Sequence, residues 1–428
     1  MAKNVIRSVK GTRDYYPEEM GVRIWLYQKM REVSESFGYS EFEGPLLERF
    51  DLYIAKSSEE IVEKQSYVFE DRGGDKLTLR PELTPTLARM VATRQPELTF
   101  PLRWWSFGPF WRYERPQKGR TREFFQWNID MVGDDSPEAD AELVAIAATF
   151  LKAVGLKPDE VKILVNNRKL MDIQLESLDV PPSLRTDVFN LIDRRDKMNQ
   201  ESWQAYASDL GLSPGQIIGV ANLIQDKSLW KGSPELVRLF DSIKAYGIEE
   251  YVEFAPYIIR GLVYYTGTVF EAWDTAGEHR SIFGGGRYDN LVADVGGEPI
   301  GGVGFAVGDL IITLILEELG RLPDFSSTPA PVFFTLFDEE FFQTSLTLAN
   351  KLREAGIQVT SQLQVDKLGK QFRYADRIGS RVAAILGPEE AANQTISIKD
   401  LKSGEQVTVS QEEMVEKIKN LLEGSLPS

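Results

Sequence analysis

The densest chemistry in this chain sits in one stretch, Arg112-Tyr113-Glu114-Arg115-Pro116-Gln117-Lys118-Gly119-Arg120-Thr121-Arg122, which holds four arginines and a lysine. Guanidinium forks match phosphate oxygens two at a time, and packing so much like charge together is costly unless a polyanion visits. The plainer reading is a solvated charged turn. The flanks favour the polyanion: the aromatic and β-branched arms LRWWSFGPFW and EFFQWNIDMV read as a long hairpin over about 102–132, and a rigid sheet can aim Arg112.

Three further clusters carry polar groups at strand ends. Leu79-Arg80-Pro81-Glu82-Leu83-Thr84 sets a carboxylate and a hydroxyl two residues apart, able to hold an ammonium group. The same residues can cap a helix, and taken alone they favour the cap. Arg260-Gly261-Leu262-Val263-Tyr264-Tyr265-Thr266-Gly267 brings an arginine and two tyrosines ahead of a strand. Gly284-Gly285-Gly286-Arg287-Tyr288-Asp289 adds backbone that a ligand can approach closely, although a glycine run by itself reads as a turn.

What is missing directs the reading as well. There is no cysteine and one histidine, His279. Thiolate nucleophiles, thiolate metal sites and disulfides are excluded, and a histidine triad or multi-histidine metal site has almost nothing to build on. A reducing cytoplasm fits, and the start MAKNVIRSVKG lacks the apolar stretch of a secretory signal. No apolar run approaches the roughly 18–20 residues that span a bilayer.

The elements that must position these groups follow from periodicity. Leu26, Met30, Val33 and Phe37 repeat at helical spacing after Pro17 and stop at Gly38, and Tyr39 to Phe42 alternates like a strand. YVFEDRGGDKLTLR over 67–80 reads as a hairpin turning at Gly73-Gly74. Ser136 caps a helix that starts at Pro137 and runs to Gly155. Residues from about 168 to 250 read mostly helical, as an insertion, and strands return at 268–273 and about 281–283. Gly301 to Gly308 leads into the apolar helix LIITLILEEL, and LPDFSSTPAP is a linker by composition. Beyond it VFFTLF, IQVTSQL and VAAILG alternate with helices, the pattern of a small α/β domain. At 428 residues the chain is long enough for two or three domains. Its 49 basic and 65 acidic residues give a net charge of −16, which argues against non-specific nucleic-acid binding but leaves room for a local basic surface.

Together these segments resemble the class II aminoacyl-tRNA synthetases, and within them the histidyl-tRNA synthetase family. FWRYERPQKGRTREFFQ is similar to the family's motif 2, RGLVYYTGTVFE to its histidine segment, and GPLLERFDLY, with Pro45, to motif 1. KGTRDYYP and LRPELT match its N-terminal and substrate segments, and KLGKQFRYADRIGSRVAAILG its anticodon-binding domain. The likeness covers nearly the whole chain, in order.

The resemblance implies an α/β (α+β) fold. A class II synthetase-like antiparallel-sheet catalytic domain over 1–325 would carry the helical insertion, with a linker at 326–331 and an anticodon-binding α/β domain at 332–428. It implies a histidine–tRNA ligase, which joins L-histidine to ATP with Mg²⁺, releases pyrophosphate, and passes the histidyl group to the tRNA for histidine. The nucleophile is the substrate's own carboxylate, in keeping with a chain so poor in Cys and His. By the match, Arg112 holds the α-phosphate and Arg260 stabilises the charge that develops there. Glu114 faces adenine and Arg120 the terminal phosphates. Glu82, Leu83, Thr84 and Gln126 form the ammonium end of the histidine site, and Asp130, Tyr264, Tyr265 and Tyr288 surround the imidazole. Arg115 and Gln117 meet the tRNA acceptor end. Lys367, Lys370, Arg373 and Arg377 recur at one-turn spacing and become an RNA-facing surface. Motif 1 implies a homodimer.

Three positions depart from the family pattern. Val263 stands where an aspartate is usual, Leu83 where a small residue is common, and Gly308-Asp309-Leu310-Ile311 lacks the arginine that ends motif 3. The competing reading is a synthetase-like histidine-binding regulatory subunit of ATP phosphoribosyltransferase. That type lacks the anticodon-binding domain and degrades motif 2 and the YYTG segment, all of which are present here.

Overall fold

The computed structural model describes residues 5–54, 61–195, 198–259, 264–323 and 330–423. The chain divides into two compact units, Met1–Pro323 and Asp324–Ser428.

The first unit runs α1 (Pro17–Ser36), β1 (Ser40–Glu41), β2 (Leu47–Arg49), α2 (Asp51–Ile54), β3 (Tyr67–Glu70), β4 (Lys76–Leu79), α3 (Thr84–Arg94), β5 (Leu102–Trp111), β6 (Glu123–Val132), α4 (Pro137–Ala153) and β7 (Val161–Asn167). Helices α5 (Arg168–Ser177), α6 (Pro182–Asp193), α7 (Gln200–Asp209), α8 (Pro214–Leu223) and α9 (Pro234–Ala245) follow. Then come β8 (Val252–Phe254), β9 (Thr268–Asp274), β10 (Phe283–Tyr288), α10 (Leu291–Asp294), β11 (Gly302–Gly308) and α11 (Asp309–Glu318). Among the described residues the main sheet has eight strands in the order β1-β5-β6-β11-β10-β9-β7-β8, and β2-β4-β3 forms a small second sheet. All neighbours in the main sheet are antiparallel except β1 with β5 and β7 with β8.

Local chemistry explains the boundaries. Helix α1 starts with Pro17 and has Glu18 and Glu19 in its first turn, where carboxylates suit the positive end of the helix dipole. The Ser136 hydroxyl accepts from the Ala139 amide to open α4. Arms β5 and β6 pair without a break from Leu102↔Val132 to Trp111↔Glu123.

Alternation then separates two faces. Trp127, Ile129 and Met131 of β6 point into one core with Leu26 and Met30 of α1, Ile146 and Phe150 of α4, and Ile312 and Leu316 of α11. Gln126, Asn128 and Asp130 point the other way. The insertion keeps a separate core around Leu175, Val188, Trp203 and Val220. Helix α9 packs instead with the main core, through Leu236, Leu239 and Ile243.

Two strand assignments differ from the sequence expectation. Gly284-Gly285-Gly286 is not a turn: the three glycines lie inside β10, paired with both β9 and β11. Strand β7, VKILVNN, which the sequence reading leaves unassigned, joins the sheet ahead of the insertion.

One buried ion pair fastens α4 to the sheet. Arg287 of β10 reaches Asp140 of α4 at 2.6 Å, with both side chains about 5% exposed.

The second unit contains β12 (Val332–Phe334), α12 (Phe342–Glu354), β13 (Val359–Ser361), α13 (Leu368–Arg377), β14 (Val382–Ile385), α14 (Pro388–Asn393), β15 (Thr395–Asp400), β16 (Gln406–Ser410) and α15 (Met414–Glu423). Its sheet runs β13-β12-β14-β15-β16, parallel through the first three strands and antiparallel in the closing hairpin.

Removing one partner of a buried ion pair strands the other charge and costs about 3–5 kcal/mol. Arg287→Ala should therefore lower the urea-unfolding free energy of the first unit by about that amount. A loss under about 1 kcal/mol would show that the pair does not hold α4 in place.

Candidate active site

The cavity face of the sheet is floored by small residues. Gly284 and Gly286 of β10 lie opposite Ala306 and Gly304 of β11. Strand glycines of this kind let another group approach the backbone. Gly304 is also paired with Asp130 of β6, and a Cβ at Gly304 would fall 2.0 Å from the Asp130 carboxylate oxygen. The bare position is what gives Asp130 its place.

Over this floor lies a cavity of about 180 Å³. That is below the roughly 300–1,000 Å³ of pockets for drug-sized ligands, so its occupant is small. Glu82, Leu83, Thr84, Gln126, Asp130, Tyr264, Tyr265 and Tyr288, scattered over the sequence, all line it, and Arg112 stands at its edge. The Tyr264 hydroxyl donates to Glu82 Oε2 at 3.4 Å, and the Tyr288 hydroxyl donates to Asp130 Oδ1 at 2.8 Å. Tyr264 packs edge-on against Tyr265 and Tyr288. The deep end is therefore an aromatic box with one carboxylate, and the mouth is polar.

Burial raises the Asp130 carboxyl to about 7, against the downward pull of the Tyr288 hydroxyl. A hydrogen-bond donor placed there would favour the ionised carboxylate that burial disfavours.

The helix-cap alternative for Glu82 and Thr84 is not taken up. Leu83 is the N-cap of α3 and no side chain caps it. The segment is held by Arg80, whose fully buried guanidinium donates to the Pro109 and Gly44 carbonyls.

A second cavity of about 640 Å³ adjoins the first, and Arg112, Gln126, Gly284 and Ala306 line both. Glu114 and Arg120 line only the larger one, ion-paired to each other. Phe124, Asp193, Glu271, His279, Arg280, Asp309 and Ile311 are among its other lining residues. The Arg112 Nε donates to the Pro81 carbonyl at 3.0 Å, so the loop is tied to the Glu82 segment. Its base is tied to the N-terminal segment, where the Arg122 amide donates to the Gly11 carbonyl at 2.8 Å. Arg115 and Gln117 are exposed on the loop, outside both cavities. Arg260 and Val263 lie outside the described residues.

Asn128 and Phe124 were not singled out from sequence. Asn128 was accessible to alternation alone, since it sits between Gln126 and Asp130 on the cavity face.

In the second unit, Lys370, Arg373 and Arg377 line a groove of about 960 Å³ together with Tyr374, Leu363 and Gln362. Lys367 does not line it; it is the exposed N-cap of α13. Tyr374 and Leu363 are 44% and 65% exposed, so the groove presents apolar surface among its cations.

Residues 11–309 match the family model for histidyl-tRNA synthetase. The chain belongs to that family. Residues 330–421 match the anticodon binding domain. A histidine–tRNA ligase from Leptospira biflexa is 37% identical over 98% of this chain and 99% of its own length. One from Haloarcula marismortui is 38% identical over 94% and 95%. The crystal structure of histidyl-tRNA synthetase from Nostoc superposes with a TM-score of 0.82 at 28% identity, covering 98% of this chain and all of that one. The α/β architecture built on a largely antiparallel sheet, with a separate C-terminal unit, is that of the family.

Asp130 generates a pH test. Between its ordinary value near 3.8 and about 7, the folded protein keeps a proton that the unfolded chain has lost. Raising pH through that window therefore destabilises the fold at this residue. Asp130→Asn removes the effect, so the ligand-free variant should melt increasingly higher than the parent from about pH 4 to 7, with a constant gap above. Thermal melts at pH 5 and pH 8 measure it; a gap that does not widen would count against a buried carboxylate that ionises at a cost.

Proposed function

We propose that the joined cavities activate L-histidine with ATP and that the chain charges the tRNA for histidine. The chain is an aminoacyl-tRNA ligase, a histidine–tRNA ligase. The observation that carries the mechanism is the shared wall: an amino-acid-sized cavity and a nucleotide-sized cavity have Arg112, Gln126, Gly284 and Ala306 in common.

In this reading the imidazole enters the tyrosine box and donates to Asp130, while Glu82, Thr84 and Gln126 hold the ammonium group. The histidine carboxylate then lies at the shared wall. Its oxygen attacks the α-phosphorus of ATP, the bond to the β-phosphate oxygen breaks, and pyrophosphate leaves from the larger cavity. Arg112 neutralises charge on the α-phosphate, and Arg260 is assigned to the same charge by the family match. Glu114 faces the base and Arg120 the terminal phosphates. A terminal ribose hydroxyl of tRNA then attacks the histidyl carbonyl carbon, and AMP departs. The chain supplies position and charge, not a nucleophile.

Mg²⁺ would neutralise phosphate charge alongside ATP. Among the described residues no group of three His, Cys, Asp or Glu side chains is placed to hold a metal ion, and Asp193 and Glu271 on the larger cavity's wall are the carboxylates that would share it with the phosphates. Such sparse protein ligation suits a cation that arrives on phosphates.

The groove of the second unit, where Lys370, Arg373 and Arg377 stand beside Asp366 and Asp376, is the proposed anticodon surface. Its cations meet phosphates and Tyr374 offers a ring on which a base can stack. Arg115 and Gln117, exposed beside the larger cavity, are the proposed acceptor-end contacts. The cytoplasm is the proposed location, in keeping with a cysteine-free chain. Among the described residues, no helix is long and apolar enough to cross a membrane.

A homodimer belongs to the same proposal. Leu46, Leu47, Ile54, Val68 and Phe69 are each more than 40% exposed on or beside the small sheet β2-β4-β3, next to the motif 1 segment. Such an apolar patch asks for cover, and a two-fold copy presents the same face. Light scattering should give twice the chain mass, and Phe69→Glu should shift it toward monomer. A monomeric, fully active parent would sink the dimer.

Purified protein with Mg²⁺ should exchange pyrophosphate into ATP with histidine and with no other amino acid. Asp130→Ala should raise the histidine KM at least about 100-fold with the ATP KM little changed, since a site built to bond a polar group loses heavily without it. Arg112→Ala should cut kcat by roughly 10²–10³. Histidine binding without any exchange at saturating ATP would favour the regulatory reading instead.

A further inference from the structure

Helix α11 brings no cation to the nucleotide cavity. Its first residue, Asp309, lines the cavity as a carboxylate that is already engaged: it takes Arg13 at 2.7 Å and accepts the Phe125 amide at 3.1 Å. Ile311, where motif 3 ordinarily has arginine, is 8% exposed and lines the cavity with its side chain. Its Cδ1 lies only 2.4 Å from where a Cβ at Gly119 would be, and Gly119 has φ +72°. Ile311 thus supports the tip of the arginine-rich loop and leaves a phosphate contact to be made from elsewhere.

The other cations on that wall are mostly committed. Arg112 stands at the shared wall, where the α-phosphate must be if the histidine carboxylate is to reach it. Arg120, assigned to the terminal phosphates by the family match, is ion-paired with Glu114, so part of its charge is already answered within the protein. The His279 ring meets Glu318 at 2.9 Å. Arg280 remains. It is exposed, lines only the larger cavity, and has no ion-pair or hydrogen-bond partner among the described residues. Its loop is nonetheless pinned on both sides. The amides of Glu278 and His279 donate to Asp274, and the Ile282 amide donates to the Ala272 carbonyl at 2.8 Å.

We propose that Arg280 grips the β- and γ-phosphates of ATP in place of the motif 3 arginine. This rests on the ligase reading. With the α-phosphate fixed beside Arg112, the two outer phosphates extend into the part of the cavity that the histidine site does not share, where Arg280 stands. A guanidinium fork is suited to bind two phosphate oxygens at once. The contact forms before reaction and persists through it, so it acts on ATP binding more than on turnover.

The test uses the full-length protein, its Arg280→Ala and Arg280→Lys variants, and two ligands, ATP and a non-hydrolysable histidyl-adenylate analogue that carries no β- or γ-phosphate. Arg280→Ala should raise the ATP KM and calorimetric Kd roughly 10–100-fold, the effect of losing one charge-assisted hydrogen bond. Its histidine KM, melting temperature and affinity for the analogue should stay within about twofold. Lysine should restore part of the ATP affinity, because it keeps the charge and loses the fork. An unchanged ATP Kd, or equal weakening of ATP and analogue, overturns the assignment. If the parent shows no histidine-dependent exchange, the ligase reading fails, and the ATP Kd still decides whether Arg280 binds the outer phosphates.

Discussion

Everything at the site depends on the two-residue alternation of β6 held in register by β5. Ten consecutive pairs, Leu102↔Val132 to Trp111↔Glu123, leave the strand no freedom to slide. With that register Trp127, Ile129 and Met131 enter the core beneath α1 and α4, while Gln126, Asn128 and Asp130 face the ligand. A slip of one residue would exchange the two sets, burying an amide and a carboxylate against Phe150. The apolar side therefore enforces the placement of the polar side, and continuation of the same hairpin delivers Arg112 just beyond Trp111.

The site runs against stability in a controlled way. Asp130 sits where ionisation is costly, and its neighbour Tyr288 is held above its ordinary value by the same burial and by that carboxylate. The opposite face shows the compensated version of the same problem: Asp140 is as deeply buried, but Arg287 is beside it. One carboxylate is matched by a fixed cation and holds the fold together. The other, in the proposed function, is left for a ring that comes and goes. The charge of −16 raises no conflict with phosphate binding, because the cations are gathered at the hairpin loop, at Arg280 and along α13.

Sequence spacing made the hairpins, the capped helix α4 and the α/β character of the second unit legible, because each is written in local periodicity and turn chemistry. The family likeness brought Glu82, Asp130, Tyr264 and Tyr288 into one candidate site before any geometry. What stayed hidden depends on partners distant in sequence. Gly284 to Gly286 looks like a turn until β9 and β11 are placed on either side, since three glycines carry no strand signal of their own. Lys367 shares the spacing of Lys370, Arg373 and Arg377 yet falls at the helix start, where the backbone is no longer helical. Arg280 carries no motif at all: an arginine in a polar loop acquires meaning only when it is found to line the same cavity as Ile311.

The shared wall between the two cavities has one more consequence. In the proposed function ATP and histidine would each occupy a single compartment, whereas the histidyl-adenylate joined from them would span both, held at two ends by a single linkage. Letting go of one end leaves the other tethered, so its effective local concentration stays high and escape requires both to release together. Pyrophosphate, severed from that linkage, has only the outer compartment and departs as a monovalent ligand. On that proposal the architecture would sort its two products by valency, retaining the mixed anhydride, which water would destroy, until RNA arrives to take it.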